Sequence, residues 1–367
     1  MLGKRELLRY VFRPFSWVLL GSYEGSRLPA EGCCRRASVL PLWETARRLP
    51  AVILASLPLL VAPVSIEAQE IRIRVGHFPN MTHVQALVAR HLDRQDHNRF
   101  SASVGPHIKI EWYAYNAGPS AMEAIFAESL DLTYVGPNPA LNAYARSRGE
   151  EVRVIAGAVQ GGSALVVQPD RGLARGEDFR GKRIATPQFG NTQDVAARAW
   201  LAAAGLRITQ TGGDAHVVPT QNPDQLALFH SKQIDAVWTI EPWVSRLELE
   251  AGGKVILEET DAITTILVSS TRFLREHRQL ARRFVVAHAE LTDWINANPA
   301  EAQRMLREEL RAAFRLEVSS ELIARAWSRM TVTSAVNREA FQAFVANAQR
   351  VGFLRDMPDL NRFVEAP

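Results

Sequence analysis

The 367-residue chain is 47% hydrophobic and 22% charged, a composition that suits one large or two medium globular domains. Its formal net charge of +4 is unevenly placed: residues 1–68 hold nine of the 43 Lys and Arg and five of the 39 Asp and Glu, leaving 34 of each in 69–367. So neutral a body excludes the basic footprint of a nucleic-acid binder.

Arg47 and Arg48 precede the proline-interrupted apolar run LPAVILASLPLLVAPV, which is followed by SIEAQE. A basic flank, a short apolar stretch and a small residue at a cut after Ala68 make a secretory signal. The run is shorter than the roughly 20 apolar residues a membrane span needs, and Pro50, Pro58 and Pro63 break it. Export with cleavage near Ala68 is therefore expected, behind an unusually long lead of 1–46. The only cysteines, Cys33 and Cys34, lie ahead of the apolar run, whereas a lipid-attachment cysteine would follow it. Removal of the signal leaves no thiol, disulfide or cysteine metal ligand.

The body then alternates between two periodicities. IRIRVGHF (71–78) reads as a strand, and PNMTHVQALVARHL as a helix with Asn80 and Thr82 as caps. HIKIEWYAY is a second strand, NAGPSAMEAIFAESL a loop entering a helix, and DLTYVGPNP a third strand ahead of the helix ALNAYARS. VRVIAGAV and SALVVQPD are strands around the Gly161-Gly162 turn. The pattern restarts with strand KRIATPQF, a helix from NTQDVAARAWLAAAG closed at Gly205, strand AHVVPT, helix NPDQLALFHSKQ and strand IDAVWTIEPW. Strand ITTILVSS follows, and the remainder is mostly helical. Strands alternating with helices predict an α/β fold with parallel sheets.

The restart has a fixed offset of 104: Pro119 and Asp131 match Pro223 and Asp235, Met122 matches Leu226, Ile125 matches Phe229, Leu130 matches Ile234, and Tyr134 matches Trp238. Two similar lobes are expected, facing each other across a cleft at the carboxyl ends of their strands. Polar loops fall where such a cleft needs them: NMTH, NAGPS, GPN, GGS, GNT and EPW. A helix start offers unsatisfied N–H groups and about half a positive charge, a site for an oxyanion. Ordinary capping would use the same residue types. Trp243 can form an apolar wall with an N–H to offer, and Glu241 can orient a donor, bind an ammonium or pair across the cleft. Trp238 reads as core, and Trp112 as core or cleft wall. His77, His83, His91 and His97 lack metal-ligand spacing and read as cap or surface residues, His83 lying nearest the cleft. No Gly-x-Ser-x-Gly elbow, His-Glu-x-x-His or Walker-type loop is present, so neither an enzyme, a metal nor a cofactor is expected.

GHFPNMTHVQALV, NAGPSAMEAIFAESLDLTYVGPNPALNAYARS, DFRGKRIATPQFGNTQDVAARAWL and IDAVWTIEPWVSRL together resemble the periplasmic solute-binding proteins of ABC importers for aliphatic sulfonates, taurine and nitrate, over roughly 70–355. The resemblance is greatest to the sulfonate branch. It implies a two-lobed type II (Venus flytrap) fold, monomeric, with lobe one at 69–162 and 265–367 and lobe two at 163–264, the crossovers lying at SALVVQP and ITTILVSS. It implies a small organic anion held on Asn80, Thr82, Gly118, Asn138, Ser163, Asn191, Thr192, Glu241 and Trp243. It also implies a permease, with its ATPase, as partner. Binding proteins of the same build take nitrate, phosphonates or a thiamine-precursor pyrimidine. Same-fold enzymes use a cysteine nucleophile or histidine chemistry, which the thiol-free body and the export signal disfavour.

Overall fold

The computed structural model describes residues 70–95, 98–356 and 358–367; the expected signal and its cut, Cys33, Cys34 and His97 lie outside the described residues. In chain order the elements are β1 (Ile71–His77), α1 (Val84–Gln95), α2 (Arg99–Val104), β2 (Ile108–Ala114), α3 (Gly118–Phe126), β3 (Leu132–Val135), α4 (Pro137–Arg146), β4 (Val152–Gly161) and β5 (Ser163–Val167). There follow β6 (Arg183–Thr186), α5 (Thr192–Ala203), β7 (His216–Pro219), α6 (Asn222–His230), β8 (Ala236–Ile240), α7 (Trp243–Ala251), β9 (Lys254–Glu259) and β10 (Ile263–Ser270). The chain closes with α8 (Thr271–Glu276), α9 (Arg278–Ala297), α10 (Pro299–Phe314), α11 (Ser320–Trp327), β11 (Met330–Val332) and α12 (Ala340–Arg350).

Two sheets result, ordered β11-β4-β10-β3-β1-β2 and β7-β6-β8-β5-β9. Each has a parallel trio, β2-β1-β3 or β7-β6-β8, as the alternation of strands and helices predicts. Each is then widened by antiparallel strands: β10 runs against β3 and β4, and β5 against β8 and β9. The reason is the route of the chain. It passes between the sheets at Gly161–Gly162 and again at 260–262, so β5 and β10 enter their sheets from the carboxyl end of the parallel strands and must run the other way.

Both faces of each sheet are covered. Along β10, Ile266 and Val268 face one core while Leu267 faces another, and along β5, Ala164 and Val166 alternate with Leu165 and Val167. β4 and β10 are buried almost throughout, as near-continuous apolar strands in the middle of a covered sheet should be. Helix α5 joins the lobes, since Ala197 and Leu201 pack on the second sheet while Val195 and Ala199 pack with α4 and α12 of the first.

The internal repeat is physical. Helices α3 and α6 occupy residues offset by exactly the expected 104, and each ends in a left-handed residue at equivalent positions, Glu128 (φ 54°) and Lys232 (φ 56°). Asp131 and Asp235 play one role twice: each carboxylate accepts the backbone N–H of a neighbouring parallel strand at 2.9 Å, from Arg74 and Arg183. Their carbonyls accept from Ser270 and Gln168, on the antiparallel side. An Asp opening a strand thus sets the register of three strands in each lobe.

The strands β9 and β11 and helices α2 and α7 are additions to the sequence reading. KVILEE has a pattern of partial burial on a sheet edge, and MTV is only three residues long, so neither carries a strong period-2 signal.

Candidate functional site

The carboxyl ends of the parallel strands of both sheets face a narrow polar cavity. Its wall is made from helix starts of both lobes. The first lobe supplies Asn80 and His83 ahead of α1, Asn116, Ala117 and Gly118 at α3, and Gly136 and Pro139 at α4. The second supplies Pro187 and Asn191, Thr192 and Gln193 at α5, with Asn222 at α6. Phe78, Ile240 and Thr264 complete it. Helices α3 and α6 begin without a side-chain cap, so the N–H groups of Gly118, Ser120, Asn222 and Asp224 have no intrahelical acceptor, whereas α4 opens Pro-Asn-Pro and its one early N–H, that of Asn138, is taken by Thr192 Oγ1. Among the described lining residues there is no Lys, Arg, Asp or Glu, and His83 is the one ionisable side chain. Neutral dipoles aimed at a small space favour a compact anion.

Of the nine residues expected at the site, Asn80, Gly118, Asn191 and Thr192 line this cavity. Asn191 is also a true cap, its Oδ1 accepting the Asp194 N–H at 2.9 Å, and its Nδ2 donates to Gln193 Oε1 at 3.0 Å. The GNT turn is held from behind: the buried Asp194 carboxylate accepts from the Gly190 N–H, Thr186 Oγ1 and Arg198 at about 3 Å each. Asn80 Oδ1 accepts the Trp243 indole N–H at 3.0 Å, and the Met81 N–H donates to the Glu241 carbonyl at 3.1 Å, two bonds that tie one lobe to the other.

The other five lie outside the cavity wall. Thr82 is buried with Oγ1 unpartnered, its methyl facing Gly162. The Asn138 N–H donates to Thr192 Oγ1 across the lobes at 3.4 Å, while its side chain turns to the Phe344 carbonyl. Ser163 Oγ donates to Glu259 at 2.5 Å. Trp243 stands behind Asn80, with the Arg246 guanidinium 4.9 Å over its ring. Glu241 is wholly buried, and its carboxylate accepts from Ser245 N–H and Oγ and from Arg329 at 3.0 Å. Pairing across the lobes is thus the role the structure shows for Glu241, since Arg329 belongs to the segment between α11 and β11.

The histidine expectation needs correction. His77, His83 and His91 are neither caps nor surface residues; all three are buried, His77 and His91 under α10 and His83 against Phe78 in the cavity wall. His83 Nδ1 accepts the Phe78 N–H at 3.3 Å, so the proton of the neutral ring sits on Nε2 and makes it a donor in the cavity wall. Burial, aided by His77, holds the His83 imidazole well below its ordinary range, so it stays neutral. Trp238 is core, and Trp112 packs on the first core with its N–H on Asp93.

One contact sets how closely the lobes meet. A Cβ on Gly136 would lie 2.4 Å from Thr192 Oγ1 of the opposite lobe. Gly136→Ala is therefore expected to keep both cores but wedge this seam, weakening anion binding about tenfold, the effect of roughly 1.4 kcal/mol of overpacking. Isothermal titration of the variant against the parent checks it: unchanged affinity would show that the seam tolerates the added methyl.

This is the architecture of a two-lobed binding protein, with a polar cleft between two α/β lobes. Residues 67–307 match the NMT1-like family, and the chain belongs to it. A protein of Brucella abortus named only as a binding protein is 23% identical over 255 residues, 67% of this chain and 74% of that one. The taurine-binding periplasmic protein of Escherichia coli is 24% identical over 245 residues, 65% and 71% of the two chains. Among solved structures, the alkanesulfonate-binding protein SsuA of Xanthomonas axonopodis, bound to MOPS, superposes with a TM-score of 0.63 at 21% identity, covering 77% of this chain and 92% of that one. The nitrate-binding protein NrtA of Synechocystis gives 0.65 at 14% identity, covering 77% and 82%. These neighbours establish the periplasmic-binding-protein fold. No helix among the described residues is long and apolar enough to cross a membrane.

Proposed function

We propose that this chain is the extracytoplasmic solute-binding component of an ABC importer, which captures a small organic anion between its lobes and delivers it to a membrane permease. An aliphatic sulfonate is the ligand that the cleft suits best, and the protein acts as a monomer exported by the signal ending near Ala68. The observation that supports this most is the convergence of helix starts from both lobes on a cavity walled by neutral donors. A monovalent oxyanion is satisfied by N–H, amide and imidazole donors, whereas a dianion such as a phosphonate calls for an Arg or Lys that the wall lacks. An enzyme of this fold would need a nucleophile or base there, and His83, kept neutral and donating, supplies neither.

The hinge falls at the two passages between sheets. Gly161 sits in a left-handed conformation (φ 72°), and a Cβ there would lie 2.4 Å from the Arg329 carbonyl, so glycine is needed at this crossing. An anion touching both lobes binds the closed state better and draws the population toward it.

A thermal-shift screen of the purified protein tests the reading. Methanesulfonate or butane-1-sulfonate at a hundredfold excess over Kd should stabilise the fold by about 2.7 kcal/mol, with phosphate and methylphosphonate inert. Stabilisation by phosphonate, nitrate or a pyrimidine with no response to any sulfonate would overturn the assignment.

A further inference from the structure

Beside the polar cavity lies a second, wider space open to solvent, lined mainly by Met122, Phe126, Pro139, Phe189, Phe353 and Leu354. Pro139 borders both spaces, and the walls continue through adjacent residues, from Gly118 to Pro119 and from Asn191 to Gly190. Like the cleft, this chamber is assembled from both lobes. Phe189 precedes the GNT turn of the second lobe and Phe353 follows α12 of the first, their ring centroids 4.9 Å apart.

Phe189 is 42% exposed, so it is not a core residue. It is nevertheless held in place, with the Arg198 guanidinium 5.5 Å from its ring and the Gly190 N–H anchored on Asp194. A fixed, half-bare aromatic ring at the mouth of a binding cleft offers apolar contact to something that arrives with the ligand.

The surroundings also disfavour a cationic tail. No carboxylate lines the polar cavity among the described residues, and Glu241 is already engaged by Ser245 and Arg329. Glu123, at the rim of the chamber, is exposed and paired with Arg146 at 3.1 Å, and that guanidinium lies over Phe126. An ammonium entering from the cleft would meet no carboxylate in the polar cavity and, in the chamber wall, only Glu123, which already pairs with Arg146.

We propose that the captured anion carries an apolar tail, a medium-chain alkyl or an aryl group, which passes Pro139 into the Phe126–Phe189–Phe353 chamber, and that an ammonium-bearing tail is selected against. The inference rests on reading the polar cavity as the anion site.

Calorimetric titration with methane-, propane-, butane- and hexane-1-sulfonate, benzenesulfonate and 2-aminoethanesulfonate tests it. Affinity should rise about threefold to fourfold per added methylene, and propane-1-sulfonate should exceed 2-aminoethanesulfonate roughly tenfold. In Phe353→Ala and, independently, Phe126→Asn, the hexane-to-methane affinity ratio should shrink roughly tenfold. That ratio cancels any general effect of either variant on closure. Affinity that is flat or falling with chain length, while methanesulfonate binds, overturns the tail chamber and leaves the anion site standing. Failure of every sulfonate to bind overturns both.

Discussion

Replacing Arg329 by methionine is expected to destabilise the protein by about 3 to 5 kcal/mol, the range for removing one partner of a buried ion pair. Arg329 lies next to β11 of the first sheet and reaches three carboxylates of the second lobe: Glu241 at 3.0 Å, Glu248 at 2.8 Å and Glu258 at 3.5 Å. Its side chain is 13% exposed and that of Glu241 not at all, so solvent does little to screen the first of these pairs. Burial already pushes the Glu241 carboxyl above its ordinary range, with the Ser245 bonds and Arg329 pulling it back. Without the guanidinium it rises further. A carboxyl raised in the folded state costs stability as pH climbs from its unfolded value through its folded one, so the loss caused by Arg329→Met, measured against the parent at the same pH, should be larger at pH 8 than at pH 5. Urea denaturation at both values, with the double variant Arg329→Met, Glu241→Gln recovering most of the loss, is the measurement. A single variant as stable as the parent at pH 8 would show that the cluster does not hold the lobes.

Acidification should weaken the fold well above the range where most carboxylates titrate. Burial pushes His77 down to about 3, with the Arg90 charge adding to it, and His288 down to about 4. His83 is lowered for the same reason. The unfolded chain takes up these protons near pH 6.5 and the folded protein does not, so their contribution is complete above that pH and is lost as pH falls below it. Each histidine then costs about 1.4 kcal/mol per pH unit, and together the three remove roughly 3 to 4 kcal/mol between pH 7 and 5.5. The Asp93 and Glu241 carboxyls, raised by burial, act in the opposite sense and offset part of this. The urea midpoint should therefore fall on going from pH 7 to 5.5, and less steeply in His288→Gln, whose side chain can still donate to the Gly157 carbonyl that His288 Nε2 contacts at 2.8 Å. A midpoint that stays level or rises would contradict the assignment of these rings as neutral.

Much of the site's location was legible in the chain. The loops after β1, β2, β3 and β6 supply most of the cavity wall, because in a parallel α/β unit the carboxyl ends of the strands and the helix starts coincide. Which atoms of those loops face inward was not legible. Ser163 and Glu241 sit at strand ends as expected, yet Glu259 and Arg329, 96 and 88 residues away, claim their polar groups. His83 was visible only as a histidine near a loop; its role depends on the Phe78 N–H fixing the tautomer. Asn222 at the start of α6 could have been found from the 104-residue repeat, since it is the equivalent of Gly118.

The sequence by itself determined the alternation of strands and helices, the doubled lobe and the Asp that opens a strand in each, because these follow from short-range periodicity and backbone bonding near each residue. Only the tertiary structure decided that the antiparallel strands β10 and β5 extend the sheets, that three histidines lie in the interior, and that two aromatic rings from opposite lobes wall a chamber beside the cleft. Those outcomes depend on which distant surfaces come to exclude water from one another, and no local pattern records that pairing.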